Sequence, residues 1–172
     1  MHPLLQMLLG GDRRSIGKSR EVVDRVLAEP ELFGIVFGGM TDDDPLVRMR
    51  SADAAEKIAA LRPDLLQPYK RRLLREVAPI EQQEVRWHVA QLIPRLKLNR
   101  TDRRTAAEIL SRYLKDESRI VKTFAMQALA DLAEQDADLR PGIVRALKRL
   151  TRTGSPAMRS RGRKLLRNLD PG

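Results

Sequence analysis

The sequence predicts an all-α fold, a solenoid of about four to five helix pairs. Three observations predict it. A pattern recurs along the chain, with anchors at Val47, Val85, Val121 and Met158 spaced by 38, 36 and 37 residues. The positions four, seven, eight and eleven after each anchor are small or apolar, as one face of an α-helix requires. They are Ser51, Ala54, Ala55 and Ile58; Val89, Leu92, Ile93 and Leu96; Ala125, Ala128, Leu129 and Leu132; and Gly162, Leu165, Leu166 and Leu169. Finally, aromatic residues make up only 3% of the chain while Leu and Ala dominate its apolar set, which suits helices more than strands.

Taken in order, Leu4 to Leu9 reads as a short apolar helix stopped by Gly10-Gly11. Asp12 is expected to cap the next helix, which runs to about Glu29 and carries Ile16, Val22, Val23, Val26 and Leu27. Gly17 reads as a tolerated glycine within it. Residues 1–29 are therefore expected to cap one end of the stack. Repeats are expected at 30–61, 62–98, 99–135 and 136–169, within a single domain spanning 1–172.

Pro30, Pro68, Arg104 and Pro141 stand seventeen residues before the anchors and mark the first helix of each pair. Proline suits a first helical position because its missing N–H has no partner to lose. Ile35-Val36, Leu73-Leu74, Ile109-Leu110 and Ala146-Leu147 follow as the buried edge of these helices, with Phe33, Phe37, Tyr69 and Tyr113 as packing groups. The stops between paired helices are 38–44, Ala78-Pro79, 116–118 and 153–156, each expected to supply a cap. Asp42, Asp43 and Asp44 read as capping groups at a positive helix N-terminus rather than a cation loop, since no matching glycine and glutamate follow. Pro94 cannot donate to the Ala90 carbonyl, so a kink is expected there.

With these residues placed, the pattern resembles the HEAT repeat over about residues 30–169. Asp44-Pro45-Leu46-Val47-Arg48 is similar to the opening of a HEAT second helix, and Glu84-Val85-Arg86 and Ile120-Val121-Lys122 repeat it. The last unit departs most, with Met158 as anchor after Ser155-Pro156. The resemblance implies antiparallel helix pairs in a right-handed, ARM-like α-α superhelix whose second helices line the concave face. It implies no single function: relatives include protein scaffolds, tetrapyrrole lyases of light-harvesting proteins and DNA glycosylases for alkylated bases.

The chain carries 33 bases and 23 acids, a net charge of +10. The excess is concentrated: residues 61–100 hold nine bases and four acids, and residues 141–172 hold nine bases and one acid. The absence of cysteine excludes disulfides and thiolate metal sites. His2 and His88 are far apart and no metal-ligand spacing is present, so no cofactor is expected. The start has no basic leader, and no apolar run is long enough to span a bilayer. A cytoplasmic, monomeric protein without a membrane partner is expected.

On a helical wheel, the positions two, three, six and ten after each anchor lie opposite the core or flank that side. They supply the candidate partner-binding residues Met49, Arg50, Asp53, Trp87, His88, Gln91, Arg95, Phe124, Gln127, Arg161 and Lys164. Trp87, the one tryptophan, is expected on the open face beside Met49, Arg50, His88 and Gln91. Arg48, Arg86, Lys122 and Arg159 follow the anchors directly and are expected to brace nearby caps and carboxylates such as Asp44 and Glu84. Ala52, Ala90 and Met126, five after the anchors, should face the next unit, whereas Arg163 has no next unit to face and keeps the terminal repeat polar. The expected function is a non-catalytic scaffold that binds a macromolecular partner, in the first place a protein. Nucleic-acid binding through the basic surface is the alternative. A glycosylase-type site, which needs aromatic walls and a carboxylate, is approximated only by Trp87 with Asp53.

Overall fold

The computed structural model describes residues 1–11 and 14–170, and all regular structure among them is helical. The chain divides into two compact units, Met1–Leu96 and Lys97–Gly172. The first contains α1 (Pro3–Gln6), α2 (Ser19–Ala28), α3 (Phe33–Gly39, entered through a 3-10 turn at Pro30–Leu32) and α4 (Pro45–Leu61). After them come α5 (Pro63–Leu66), a 3-10 turn at Gln67–Tyr69, α6 (Lys70–Arg72) and a π-turn at Leu73–Val77. α7 (Gln83–Leu92) ends the unit through a 3-10 turn at Ile93–Arg95. The second unit holds α8 (Arg100–Tyr113), α9 (Arg119–Gln135), α10 (Arg140–Thr153) and α11 (Pro156–Leu169).

The core of the first unit is organised on α4, which packs against α2, α3 and α7. It can do so because its buried residues are small: Ser51, Ala52, Ala54, Ala55 and Ala59 are fully buried together with Val47 and Ile58. Asp44 starts the helix by accepting from the Leu46 N–H at 2.8 Å, and Asp42 accepts from Asp44 N–H at 3.0 Å. α3 approaches α4 closely at Gly39, where a Cβ would lie 2.2 Å from Ser51 Oγ. Phe33, Phe37 and Tyr69 form a ring cluster at centroid distances of 4.6–6.4 Å, with the Arg72 guanidinium over the Phe37 ring at 5.3 Å.

In the second unit α9 packs against α8, α10 and α11, and α10 packs on α11. Ser118 and Ser155 cap α9 and α11 by accepting from Val121 and Met158 N–H, and Asn99 caps α8 by accepting from Asp102 N–H at 2.8 Å. Here the small residue of the closest helix approach has changed sides. Gly162 of α11 faces α10, and a Cβ there would lie 2.0 Å from Thr151 Oγ1.

The repeated register is visible in burial. Val47, Val85, Val121 and Met158 are buried, as is every position four, seven, eight and eleven after them except Leu166, which is half-buried. Fully burying one such Val, Ile or Leu is worth about 1.5–3 kcal/mol, so these rows supply much of the stabilisation.

Three local expectations are corrected. α2 begins at Ser19, not near Asp12, which lies outside the described residues; Ile16 is exposed, and Gly17 has φ +55°, outside the helical region. Pro94 ends α7 rather than kinking it, because the chain tightens into the 3-10 turn at Ile93–Arg95. Ala78-Pro79 supplies no cap: α7 follows Gln82 without a side-chain cap bond, because the Gln82 amide is committed elsewhere. It donates to the Pro45 carbonyl at 2.8 Å and accepts from Arg48 Nε at 2.9 Å.

The position five after the anchor tests the register. Ala52, Ala90 and Met126 are fully buried there while Arg163 is exposed. Ala90→Leu should destabilise the protein by about 1–3 kcal/mol through overpacking. Arg163→Ala should change stability by no more than about 0.5 kcal/mol. Urea unfolding followed by circular dichroism reads both; equal effects would show that the register does not govern packing.

Candidate partner-binding face

Arg50 occupies the position three after its anchor, where the wheel points to solvent. The structure buries it completely. Its Nη1 donates to the carbonyls of Leu8 and Gly10 at 2.5 and 2.6 Å, and its Nε donates to the Ser15 carbonyl at 3.1 Å. The guanidinium thus gathers the segment between α1 and α2. That segment turns its carbonyls toward one point by taking positive φ at Gly10 (79°), Gly11 (76°) and Gly17 (55°). A Cβ at Gly17 would stand 3.1 Å from the guanidinium, so the arginine also requires that glycine for space. Arg50 is a structural anchor and no partner can reach it. The wheel failed because it sees one helix and not the chain laid across it. The signal that could have found it is the cluster of glycines at 10, 11 and 17.

The same segment consumes Asp53. Its Oδ2 accepts from Ser19 Oγ at 2.6 Å and from Lys57 Nζ at 2.7 Å. Ser19 is fully buried at the start of α2, so this carboxylate ties α2 to α4. Met49 is also buried, at 9% exposure. None of the three α4 candidates therefore lies open as expected.

On α7 the outcome differs. Trp87, His88, Gln91 and Arg95 are all half-buried. The Trp87 and His88 rings lie 5.7 Å apart, tilted by 58°. Gln91 Nε2 donates to the Trp87 carbonyl at 3.2 Å, and Arg95 Nη2 pairs with Glu56 of α4. His88 Nδ1 is enclosed without a hydrogen-bond partner. Burial pushes the imidazole down to about 4, with Asp53 opposing and Lys57 reinforcing the shift, so His88 is neutral at pH 7.

In the second unit, Phe124, Gln127 and Arg161 are half-buried and Lys164 is exposed. Arg161 Nη1 donates to Gln127 Oε1 at 2.8 Å, and Gln127 Nε2 donates to Asp131 Oδ1 at 2.9 Å. This chain of bonds links α11 to α9. An unforeseen brace completes the unit: Arg103 donates to Asp136 Oδ2 at 2.8 Å and to the Leu98 carbonyl at 2.7 Å. The Arg103 hydrogen bond holds the buried Asp136 carboxyl below its ordinary range.

Two of the bases after the anchors, Arg48 and Arg86, brace their own helix entries through backbone carbonyls. Arg48 Nη1 donates to the carbonyls of Asp42 and Asp43 at 2.7 and 3.1 Å, and Arg86 Nε donates to the Ile80 carbonyl at 3.0 Å. Backbone carbonyls before each helix are the nearer and more rigid acceptors. Among the described residues no group of three or more His, Cys, Asp or Glu could hold a metal ion. None of the described helices is long and apolar enough to cross a membrane.

With this geometry in view, comparison with known proteins is informative about fold alone. No family model matches the chain, and no curated protein matches it. The structure is similar to the crystal structure of an engineered protein, a target of the Northeast Structural Genomics Consortium. The TM-score is 0.63 at 16% identity, covering 98% of this chain and 78% of that one.

Two outcomes follow from these contacts. Arg50→Lys removes the planar fork that reaches several carbonyls at once, and should destabilise the protein by about 2–4 kcal/mol. Limited proteolysis should then cut within residues 9–18 faster than in the wild type; unchanged cutting would show that the segment is held by other contacts. His88 sets a pH dependence. Its folded pKa, about 4, is below the unfolded value of about 6.5, so the unfolded chain takes the proton first. This stability is intact above about pH 7 and is lost as pH falls through the window from about 6.5 to about 4. Between pH 7 and pH 5 the loss should reach up to about 2 kcal/mol, and His88→Gln should remove that part of the slope in urea titrations.

Proposed function

We propose that the protein is a non-catalytic, HEAT-like helical-repeat scaffold that binds a protein partner through the face containing α7. The observation that carries this reading is Trp87. It is half-buried on a second helix, while Gln91, Arg95 and Asp53 around it already have partners within the unit. A large flat ring left half-exposed gains by being covered. Interface anchors have this composition, with a tryptophan at the centre and arginine near it. The recurrence of the buried register in α4, α7, α9 and α11 supports the repeat reading.

The binding residues on this reading are Trp87, Gln91 and Arg95 in the first unit. Arg50, Met49 and Asp53 act instead from within the fold. A photo-crosslinking side chain placed at position 91 should capture a defined set of proteins from cell extract. Trp87→Ala should reduce that capture by at least about thirtyfold, as loss of a hot spot of about 2 kcal/mol implies, while an exposed change elsewhere, Leu61→Ala, leaves it intact. Equal capture by wild type and Trp87→Ala, at equal melting temperature, would remove this face from consideration.

A further inference from the structure

A second surface lies on the last helix pair. Arg145, Lys148, Arg149 and Arg152 of α10 are all exposed at spacings of three, one and three residues. That spacing puts them on one stripe about 10 Å long. Arg159, Arg163 and Arg167 of α11 repeat at every fourth position and are exposed as well. The rows adjoin: Lys148 Nζ pairs with Asp170 Oδ2 at 2.5 Å, and Asp170 lines a shallow depression with Arg163 and Arg167.

These arginines stand apart by being crowded on one helix pair with a single acid among residues 141–172. Arg48, Arg50, Arg86, Arg95 and Arg103 each bond to a carbonyl, amide or carboxylate. Arg145, Arg149, Arg152, Arg159, Arg163 and Arg167 have no side-chain partner among the described residues. The one acid of residues 141–172 is Asp170, already taken by Lys148. A terminal repeat needs a polar outer face, but solubility is served as well by mixed charges. A row of one sign, left unpaired, is explained by an anionic ligand.

We propose that the α10–α11 surface binds the phosphate backbone of a nucleic-acid duplex without reading its bases. Three observations select this occupant. Arginine predominates over lysine, and its planar fork matches phosphate oxygens. Residues 141–172 contain no aromatic residue, so there is no platform on which single-stranded bases could stack. Among the described residues the exposed large apolar side chains are Met1, Leu9, Ile16, Leu61 and Ile120, none of them on α10 or α11, so an acidic protein would find no apolar anchor on this pair.

The test is fluorescence anisotropy of a 20-base-pair duplex of arbitrary sequence, titrated with full-length protein from about 50 to 200 mM salt. Binding should weaken steeply with salt and be indifferent to duplex sequence. The variant Arg145→Gln/Arg149→Gln/Arg152→Gln should lose on the order of tenfold in affinity and lower the salt slope by about two to three, near 0.9 for each contact removed. The matching Lys triple should retain most of the slope. A charge-matched control, Arg20→Gln/Arg71→Gln/Arg75→Gln, should bind as the wild type does, as should Trp87→Ala. The proposal is overturned by absence of binding at about 50 mM salt, by equal weakening in the charge-matched control, by tighter binding of a single strand than of the duplex, or by displacement of the duplex by polyglutamate at equal charge concentration.

Discussion

The fold depends on one constraint: α4 and α9 each have more apolar surface than a single neighbouring helix can cover. α4 buries Val47, Ala52, Ala54, Ala55, Ile58 and Ala59 completely, and needs α2, α3 and α7 to do it. α9 likewise needs α8, α10 and α11. Small side chains permit the close approach, and the clearances are fine enough that Gly39 and Gly162 have no room for a Cβ. The volume is traded between partners. Where position four carries Ser51, the facing residue is Gly39; where it carries Gly162, the facing residue is Thr151. A packing rule that recurs with its residues exchanged reflects a surface that must be filled, whichever chain segment fills it.

At the start of the chain, the α4 surface is covered by an irregular segment, and Arg50 is the means. Burying a guanidinium alone is prohibitive. The carbonyls of Leu8, Gly10 and Ser15 offset that cost by accepting its N–H groups. Each side of this contact solves the problem of the other. It also explains why α2 starts late: residues turned toward a central cation by glycines of positive φ cannot at the same time hold helical dihedrals.

What could be read from the sequence follows from what local periodicity reports. Position by position, the apolar face of each second helix was legible, because a helix of 3.6 residues per turn repeats its burial without reference to its neighbours. The caps at Asp44, Ser118 and Ser155 were legible for the same reason, being short-range hydrogen bonds. The candidate site was less so. Arg50 and Asp53 lie on the wheel's polar side, yet both face chain that comes from more than thirty residues away. The Arg103–Asp136 brace, 33 residues apart, escaped for that reason too. On α7 the expectation came nearer, because the polar neighbours of Trp87 are bonded within the helix or to α4 and leave the ring at the edge.

The α10–α11 pair answers the same constraint by charge instead of by covering chain. Position five is buried as Ala52, Ala90 and Met126 and is the exposed Arg163 in α11. Ending burial requires only a polar residue. It does not require that α10 carry four more cations on a single stripe, nor that six arginines without acceptors stand on one helix pair with a single acid among residues 141–172. Self-repulsion within such a row opposes folding, and acids at any of its positions would relieve it at no loss of solubility. That the relief is absent distinguishes a surface kept for an external anion from one that is merely polar.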